Sequence, residues 1–353
     1  MTPELGIIEG FYGTPWTWQQ REDATSFLGA AGYRTWFYAP KSDEWLRTRW
    51  QEPRPPEDAR MLARFADHCH QLGMRFGIGL SPFEAYRAFD RTMRDALERK
   101  LAFYDELGVD DVAILFDDMR GDLPDLALRQ AEMIDAARAV SAAERLFMCP
   151  TYYSDDPVLD RIFGARPDGY LEQLGAALDP AVHVFWTGEE ICSREYSPGH
   201  LRRVGEQLRR KPFLWDNYPV NDTERMARYL HLRAFTGRHA DIADHVAGHM
   251  INPALQPVLS RIPALTLVES YRDGADYAYG AAFRRAAARV LGEDLAACVV
   301  EDLLWLQDAG LDGMPAERKA ELKTRYARFE DEAAREIVAW LGRIPADQVR
   351  TRS

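Results

Sequence analysis

Cysteine is scarce in this chain. The 353 residues hold four, at Cys69, Cys149, Cys192 and Cys298, scattered and with no CxxC pair. That distribution gives no sign of a disulfide framework or a thiolate zinc site. Basic residues are outnumbered, with a formal net charge of −12. An acidic surface repels phosphate backbones and anionic lipid, so neither nucleic acid nor membrane is expected as a partner. The basic run at 202–211 reads as a solvated helix face. No apolar stretch approaches the ~20 residues of a membrane span. The opening Met1-Thr-Pro-Glu-Leu5 has neither the basic nor the apolar region of a secretory signal, so a cytoplasmic location is expected. A glycine-rich GxGxxG turn after the first apolar run is missing, which disfavours a doubly wound dinucleotide fold. His68-Cys69-His70 invites a metal reading, but it lies in a helical segment where i and i+2 face apart. No metal and no cofactor are expected.

What is present is a large apolar share, 46% hydrophobic with 11% aromatic, ample for one big domain with an appendage. Eight short apolar runs recur, at 5–8, 35–38, 75–80, 112–116, 146–149, 182–186, 212–215 and 246–251. Between them lie helical patterns such as 18–31, 57–72, 92–107 and 126–140. Strand and helix alternating eight times, at roughly 30–40 residues per unit, predicts an α/β fold, a (β/α)8 TIM barrel. The barrel is expected over 1–272, with an irregular eighth helix at 255–271. A helical region follows over 273–353. There Leu322, Tyr326, Phe329, Ala333, Ile337 and Trp340 form one apolar stripe at i, i+3 and i+4 spacings. The stripe reads as internal core, and a homodimer through this tail is left open. Residues 350–353 read as a frayed end.

The chain is organised around Val112-Ala-Ile-Leu-Phe116, an apolar run ending in Asp117 and Asp118. Two acids at the tip of a strand buried on both faces sit at the rim of the sheet, where two neighbouring charges push their pKa values apart. Alone, the pair reads equally well as a solvated turn. The other strand ends add Glu9-Gly10-Phe11-Tyr12-Gly13, Lys41, Ser81-Pro82, Thr151-Tyr152-Tyr153, Trp186-Thr187, Trp215-Asp216-Asn217 with Asn221-Asp222, and Asn252-Pro253. In such a barrel these ends converge on one face, where active sites lie. Carboxylates, amides, hydroxyls and aromatic rings suit sugar hydroxyls and the C–H faces of sugar rings. Several assignments stay open. Gly10 either lets a ligand approach the backbone or only permits a turn. Lys41 either meets a ligand hydroxyl or pairs with Asp43. Asn217 and Asp222 either hold hydroxyls or form an Asx turn around Pro219. The Asn221-Asp222-Thr223 sequon reads as chance.

Taken in order, Gly6-Ile-Ile-Glu-Gly-Phe-Tyr-Gly-Thr-Pro-Trp16, Tyr38-Ala-Pro-Lys41, Leu115-Phe-Asp-Asp118, Cys149-Pro-Thr151, Trp186-Thr-Gly188, Trp215-Asp-Asn217, Asn221-Asp222 and Asn252-Pro253 resemble glycoside hydrolase family 84, the O-GlcNAcase catalytic domain. The resemblance covers about residues 5–272 and extends to the helical tail. It implies a retaining β-N-acetylglucosaminidase that hydrolyses a terminal β-linked GlcNAc. The sugar's own 2-acetamido group attacks, through an oxazoline. By motif, Asp117 would accept the acetamido N–H, and Asp118 would protonate the leaving oxygen and then activate water. Neighbouring side chains diverge along a strand, which suits this division of labour. The resemblance further implies that Gly10 and Lys41 contact hydroxyls, Tyr153 bonds the acetamido oxygen, and Thr187 lies near the acetyl group. Trp215 would wall the acetamide pocket, and Asn217 would position the acetamide and Asp117. Asp222 and Asn252 would bind hydroxyls. The expected partner is a GlcNAc-containing glycoside or glycoprotein. Ser42 and Phe83 depart from the family pattern, an acid and a glycine often standing at these positions. The alternatives are an endo-acting hydrolase of hyaluronan- or chitin-like glycans, and a non-catalytic glycan-binding protein of the same fold.

Overall fold

A computed structural model describes residues 2–343, so the expected fraying at 350–353 lies outside the described residues. Eight parallel strands close into a barrel, each hydrogen-bonded to the next and β8 to β1. They are β1 Glu4–Ile8, β2 Thr35–Tyr38, β3 Arg75–Leu80, β4 Asp111–Leu115, β5 Arg145–Cys149, β6 His183–Trp186, β7 Phe213–Asp216 and β8 Gly248–Ile251. All eight expected runs are strands, with edges moved by two residues at most.

The barrel interior is aromatic rather than the usual branched aliphatic filling. The Phe37 and Phe147 ring centroids lie 5.0 Å apart, and Phe147 meets Phe185 at 5.3 Å and Phe213 at 5.2 Å. Glycine makes the room: a Cβ on Gly248 would sit 2.0 Å from the Phe213 ring. Below these rings Asp111, fully buried, is gripped by Arg75 at 2.7 Å and Arg145 at 2.6 Å. Arg145 also reaches Glu4 at 2.8 Å. A carboxylate this deeply buried needs several donors in place of the water it has lost.

The helices are α1 Trp18–Ala31, α2 Pro56–Gln71, α3 Arg91–Glu106, α4 Leu126–Val140, α5 Val158–Phe163, α6 Tyr170–Ala177, α7 Pro198–Leu208 and α8 Arg261–Asp273. Two units depart from strict alternation. Between β5 and β6 lie two short helices. Between β7 and β8 there is no α-helix, only 3₁₀ turns at Met226–Arg228 and Ala240–His245. Helix α8 starts at Arg261 rather than 255, which puts Pro263 in the first turn, where its missing N–H costs nothing.

The basic run is not simply solvated. Arg210 donates to the carbonyls of Asp179 at 2.7 Å and Val182 at 2.8 Å, and to those of Gly175 and Leu178. Carbonyls left over at the end of α6 need such donors. Cys69 is buried, His68 bonds the Glu22 carbonyl and His70 bonds Asp110. Among the described residues no group of His, Cys, Asp and Glu is arranged to hold a metal.

The tail holds α9 Tyr279–Leu291, α10 Glu293–Leu303, a π turn at Leu304–Ala309, α11 Gly310–Gly313, α12 Ala316–Tyr326 and α13 Glu332–Leu341. The single stripe is carried by two helices, because Asp331 caps a new start by accepting from Ala333 N. Its residues are buried, Phe329 partly. Their apolar cluster joins Phe283, Val299, Ile337 and Trp340 to Leu230, Val258, Ile262 and Leu265, so it crosses residue 272. Among the described residues no helix is long and apolar enough to cross a membrane.

Candidate active site

A cavity of about 170 Å³ opens at the C-terminal ends of the strands. Of the ten candidate residues, Asp117, Asp118, Gly10, Tyr153, Thr187, Trp215, Asn217, Asp222 and Asn252 line it; Lys41 does not. Strand β4 ends at Leu115, and Phe116 still bonds β5 through its N–H to the Cys149 carbonyl at 2.9 Å. Asp117 and Asp118 therefore lie in the turn beyond the strand. Asp118 has φ 57°, a left-handed conformation that Asp tolerates better than most residues. This turn, rather than the pleat of a strand, sets the direction of the Asp118 side chain.

Asp117 is buried. Lys41 Nζ lies 2.5 Å from its Oδ2, while its Oδ1 is shielded from water and has no protein hydrogen-bond partner. Lys41 thus pairs with Asp117 and not with Asp43, which is taken by Arg54 at 2.6 Å and the Tyr38 hydroxyl at 2.8 Å. The Lys41 ammonium also sits 5.6 Å from the centre of the Trp215 ring. Asp118 is held differently. The Tyr12 hydroxyl donates to its Oδ2 at 2.6 Å, and the Tyr153 hydroxyl lies 3.3 Å from Oδ1, a long contact for a hydroxyl donor. Arg47 Nη2 donates to the Asp118 backbone carbonyl at 3.2 Å.

Gly10 lines the cavity and has a further reason to be glycine. A Cβ there would fall 2.0 Å from Trp215 Cζ2, so the glycine admits the tryptophan wall. The left-handed turn belongs to Gly13 instead, with φ 94°. Gly10 N donates to Asn252 Oδ1 at 3.1 Å, and Asn252 Nδ2 donates to Asn217 Oδ1 at 3.0 Å. Asn217 Oδ1 also accepts from Trp215 Nε1 at 3.1 Å, and its Nδ2 donates to the Ile191 carbonyl. No hydrogen bond joins Asn217 to Asp117 here; the asparagine fixes the tryptophan. Asp222 accepts from Tyr12 N at 2.7 Å, and burial lifts it above the usual carboxylate range against that bond. Asn217 is thus engaged by Trp215, Ile191 and Asn252, and Asp222 by Tyr12 N, rather than in an Asx turn around Pro219. Asn221 lies between them in the chain. Fully buried, it bonds the Tyr229 carbonyl, Gln256 and Leu255 N, which leaves no room for a glycan on the sequon. The single Thr187 hydroxyl proton is shared between the carbonyls of Tyr153 at 3.3 Å and Glu190 at 3.2 Å.

Sequence reasoning missed part of the lining. Tyr12 was visible within the strand-one motif, but nothing in it signals a bond across 106 positions to Asp118. Ile191, Cys192, Val220, Thr223 and Met226 supply a further wall from the loops after β6 and β7, and no local pattern marks them. Cys149 also lines the cavity. Burial, and then the Asp117 charge, push its thiol well above the ordinary range, so it is not a thiolate nucleophile. Burial and the nearby aspartates do the same to the Tyr12 and Tyr153 hydroxyls, which remain donors.

A family model described as β-N-acetylglucosaminidase matches residues 5–302. The proteins named protein O-GlcNAcase in Mus musculus and Rattus norvegicus are each 26% identical over 276 residues, which is 76% of this chain. The chain covers only 30% of the length of those relatives. A solved O-GlcNAc hydrolase of Thermobaculum terrenum, in a mutant form, matches with a TM-score of 0.80 at 29% identity. That match spans 96% of this chain and 81% of the other.

Proposed function

Because the chain belongs to the β-N-acetylglucosaminidase family, we propose that it is a retaining glycoside hydrolase that removes terminal β-linked GlcNAc, in the manner of an O-GlcNAcase, by substrate assistance. The observation that carries the reading is the state of Asp117. Its Oδ2 is tied to Lys41, and its buried Oδ1 has no protein partner at the wall of the cavity. An acceptor left in that state is costly unless something donates to it, and the acetamido N–H of the bound sugar is such a donor.

In this reading Asp117 turns the acetamide so that its carbonyl oxygen faces the anomeric carbon. The attack is then intramolecular, which is worth about 7–11 kcal/mol in ideal cases. The C–O bond to the aglycone breaks as the oxazoline ring closes. Asp118 gives its proton to the departing oxygen, then takes one from the water that reopens the ring. The long contact of Tyr153 to Asp118 is weak enough for the hydroxyl to turn to the acetamido oxygen. Trp215 packs beside the acetamide, locked by Gly10 and Asn217. Asp222 and Asn252 are left for the sugar hydroxyls. The cavity is small against the ~300–1,000 Å³ of pockets for drug-sized ligands. That supports one terminal sugar over a polymer groove.

Leaving-group dependence tests these roles. Asp118→Ala should slow an alkyl GlcNAc glycoside by about 10²–10⁴ and a 4-nitrophenyl glycoside far less, because a good leaving group needs little protonation. Asp117→Ala should slow both. Equal losses on both substrates for Asp118→Ala would remove it from the acid role.

A further inference from the structure

The aglycone must leave past the residue that protonates it, so the outer side of Asp118 is where a leaving group would lie. Three side chains are gathered there. The Tyr12 ring is 41% exposed although its hydroxyl is fixed on Asp118. Arg47 donates to the Asp118 backbone carbonyl, and its guanidinium lies 5.2 Å over the ring of Phe83. Phe83 is 45% exposed, one of the larger apolar exposures on the molecule. The neighbouring Glu84 N contacts Met119 Sδ at 3.3 Å, which holds the Phe83 turn against the residue after Asp118. Two exposed rings thus flank the proposed acid.

Arg47 adds a charge. Its ion-pair partners among the described residues are none, whereas Arg21, Arg54 and Arg145 all grip carboxylates. Its Nη1 is shielded from water and has no protein hydrogen-bond partner. In a chain with 56 acidic and 44 basic residues, an arginine without a carboxylate beside the proposed acid calls for an anion from outside. Aromatic faces stack on rings, and a guanidinium resting on Phe83 presents a flat, weakly hydrated cation for a carboxylate.

We infer that Tyr12, Phe83 and Arg47 form a leaving-group subsite that takes a ring-bearing aglycone carrying a carboxylate. This rests on the reaction proposed above and names the substrate class for it.

The experiment compares kcat/KM for 4-carboxyphenyl and 4-carbamoylphenyl β-GlcNAc glycosides, which differ at the aglycone by one charge. The ratio of the two is read in the wild type and in each variant, so intrinsic leaving-group differences cancel. Arg47→Met should cut the carboxylate-to-carboxamide ratio roughly tenfold or more, and Arg47→Lys should cut it less. Raising salt on the wild type should lower the same ratio. That arm stands even if an Arg47 variant fails to fold. Phe83→Ala should raise KM for both aryl glycosides roughly two- to tenfold more than for the methyl glycoside. GlcNAc β-linked to glucuronic acid, set against GlcNAc β-linked to glucose, asks whether the acid is borne by a sugar or only by an aryl ring. A ratio that neither salt nor Arg47→Met changes would overturn the anion claim, and equal KM effects of Phe83→Ala on aryl and methyl glycosides would overturn the stacking claim. A wild type that cleaves none of these glycosides would instead defeat the proposed reaction.

Discussion

Tyr12 holds the proposed acid in place, its hydroxyl donating to Asp118 Oδ2 at 2.6 Å. Tyr12→Phe removes this donor and frees the Asp118 side chain to swing off the leaving oxygen. The variant should slow an alkyl GlcNAc glycoside about tenfold more than a 4-nitrophenyl one, the effect of one hydrogen bond to a charged group. Equal losses on both substrates would mean that Tyr12 only fills space. At this scale the sequence was informative where chemistry is local. Two acids after a buried run announced themselves. It was uninformative where a role depends on an atom far along the chain. Lys41 faces Asp117 rather than nearby Asp43, and Gly10 is glycine because a tryptophan ring lies against it. Neither is written in adjacent residues.

Among the elements, the link between β7 and β8 is the one that most needs support. It supplies Val220, Asp222, Thr223 and Met226 to the cavity, yet it has no α-helix of its own. The tail supports it. Gln307, presented by the π turn, accepts from both Leu232 N at 2.7 Å and Arg233 N at 2.8 Å. Trp340 Nε1 donates to the Ala227 carbonyl at 3.0 Å, next to Met226. Gln307→Ala leaves those two N–H groups unpaired, at about 1–3 kcal/mol for each one that water cannot reach. The expected outcome is a lower urea midpoint together with a raised KM, since the same loop forms the cavity wall. A lower midpoint with KM unchanged would contradict the bracing role. The strands were legible because burial on both faces compresses each into a short apolar run. The missing seventh helix was not, since a long irregular link and a weak helix look alike without the neighbours that hold them. The stripe from Leu322 to Trp340 was read for its burial, but the cap at Asp331 that divides it was overlooked.

Across the whole molecule, the barrel and the tail share a junction that responds to pH. The Glu336 carboxylate on α13 accepts from Val258 N at 2.9 Å and Leu259 N at 3.0 Å, just ahead of α8. Burial pushes it up to about 7 from 4.5, against those two hydrogen bonds. Between these values the folded chain keeps a proton that the unfolded chain has released. The contribution to stability is therefore full below 4.5, falls as pH rises toward about 7, and is level above it. Tm should drop across that window, and Glu336→Gln should flatten the slope. A slope unchanged by the substitution would locate the titration elsewhere.

The closed ring of eight strands explains why residues as far apart as Tyr12, Asp118, Trp215 and Asn252 meet at one cavity. The reaction proposed for that cavity rests on the sugar's amide as the attacking group. The most direct measurement is kcat/KM for 4-nitrophenyl glycosides whose N-acetyl group carries none, one, two or three fluorines. Each fluorine makes the amide oxygen a poorer nucleophile and leaves the rest of the sugar alone. A steep and progressive fall in rate is the predicted result, and a rate indifferent to fluorine would contradict it.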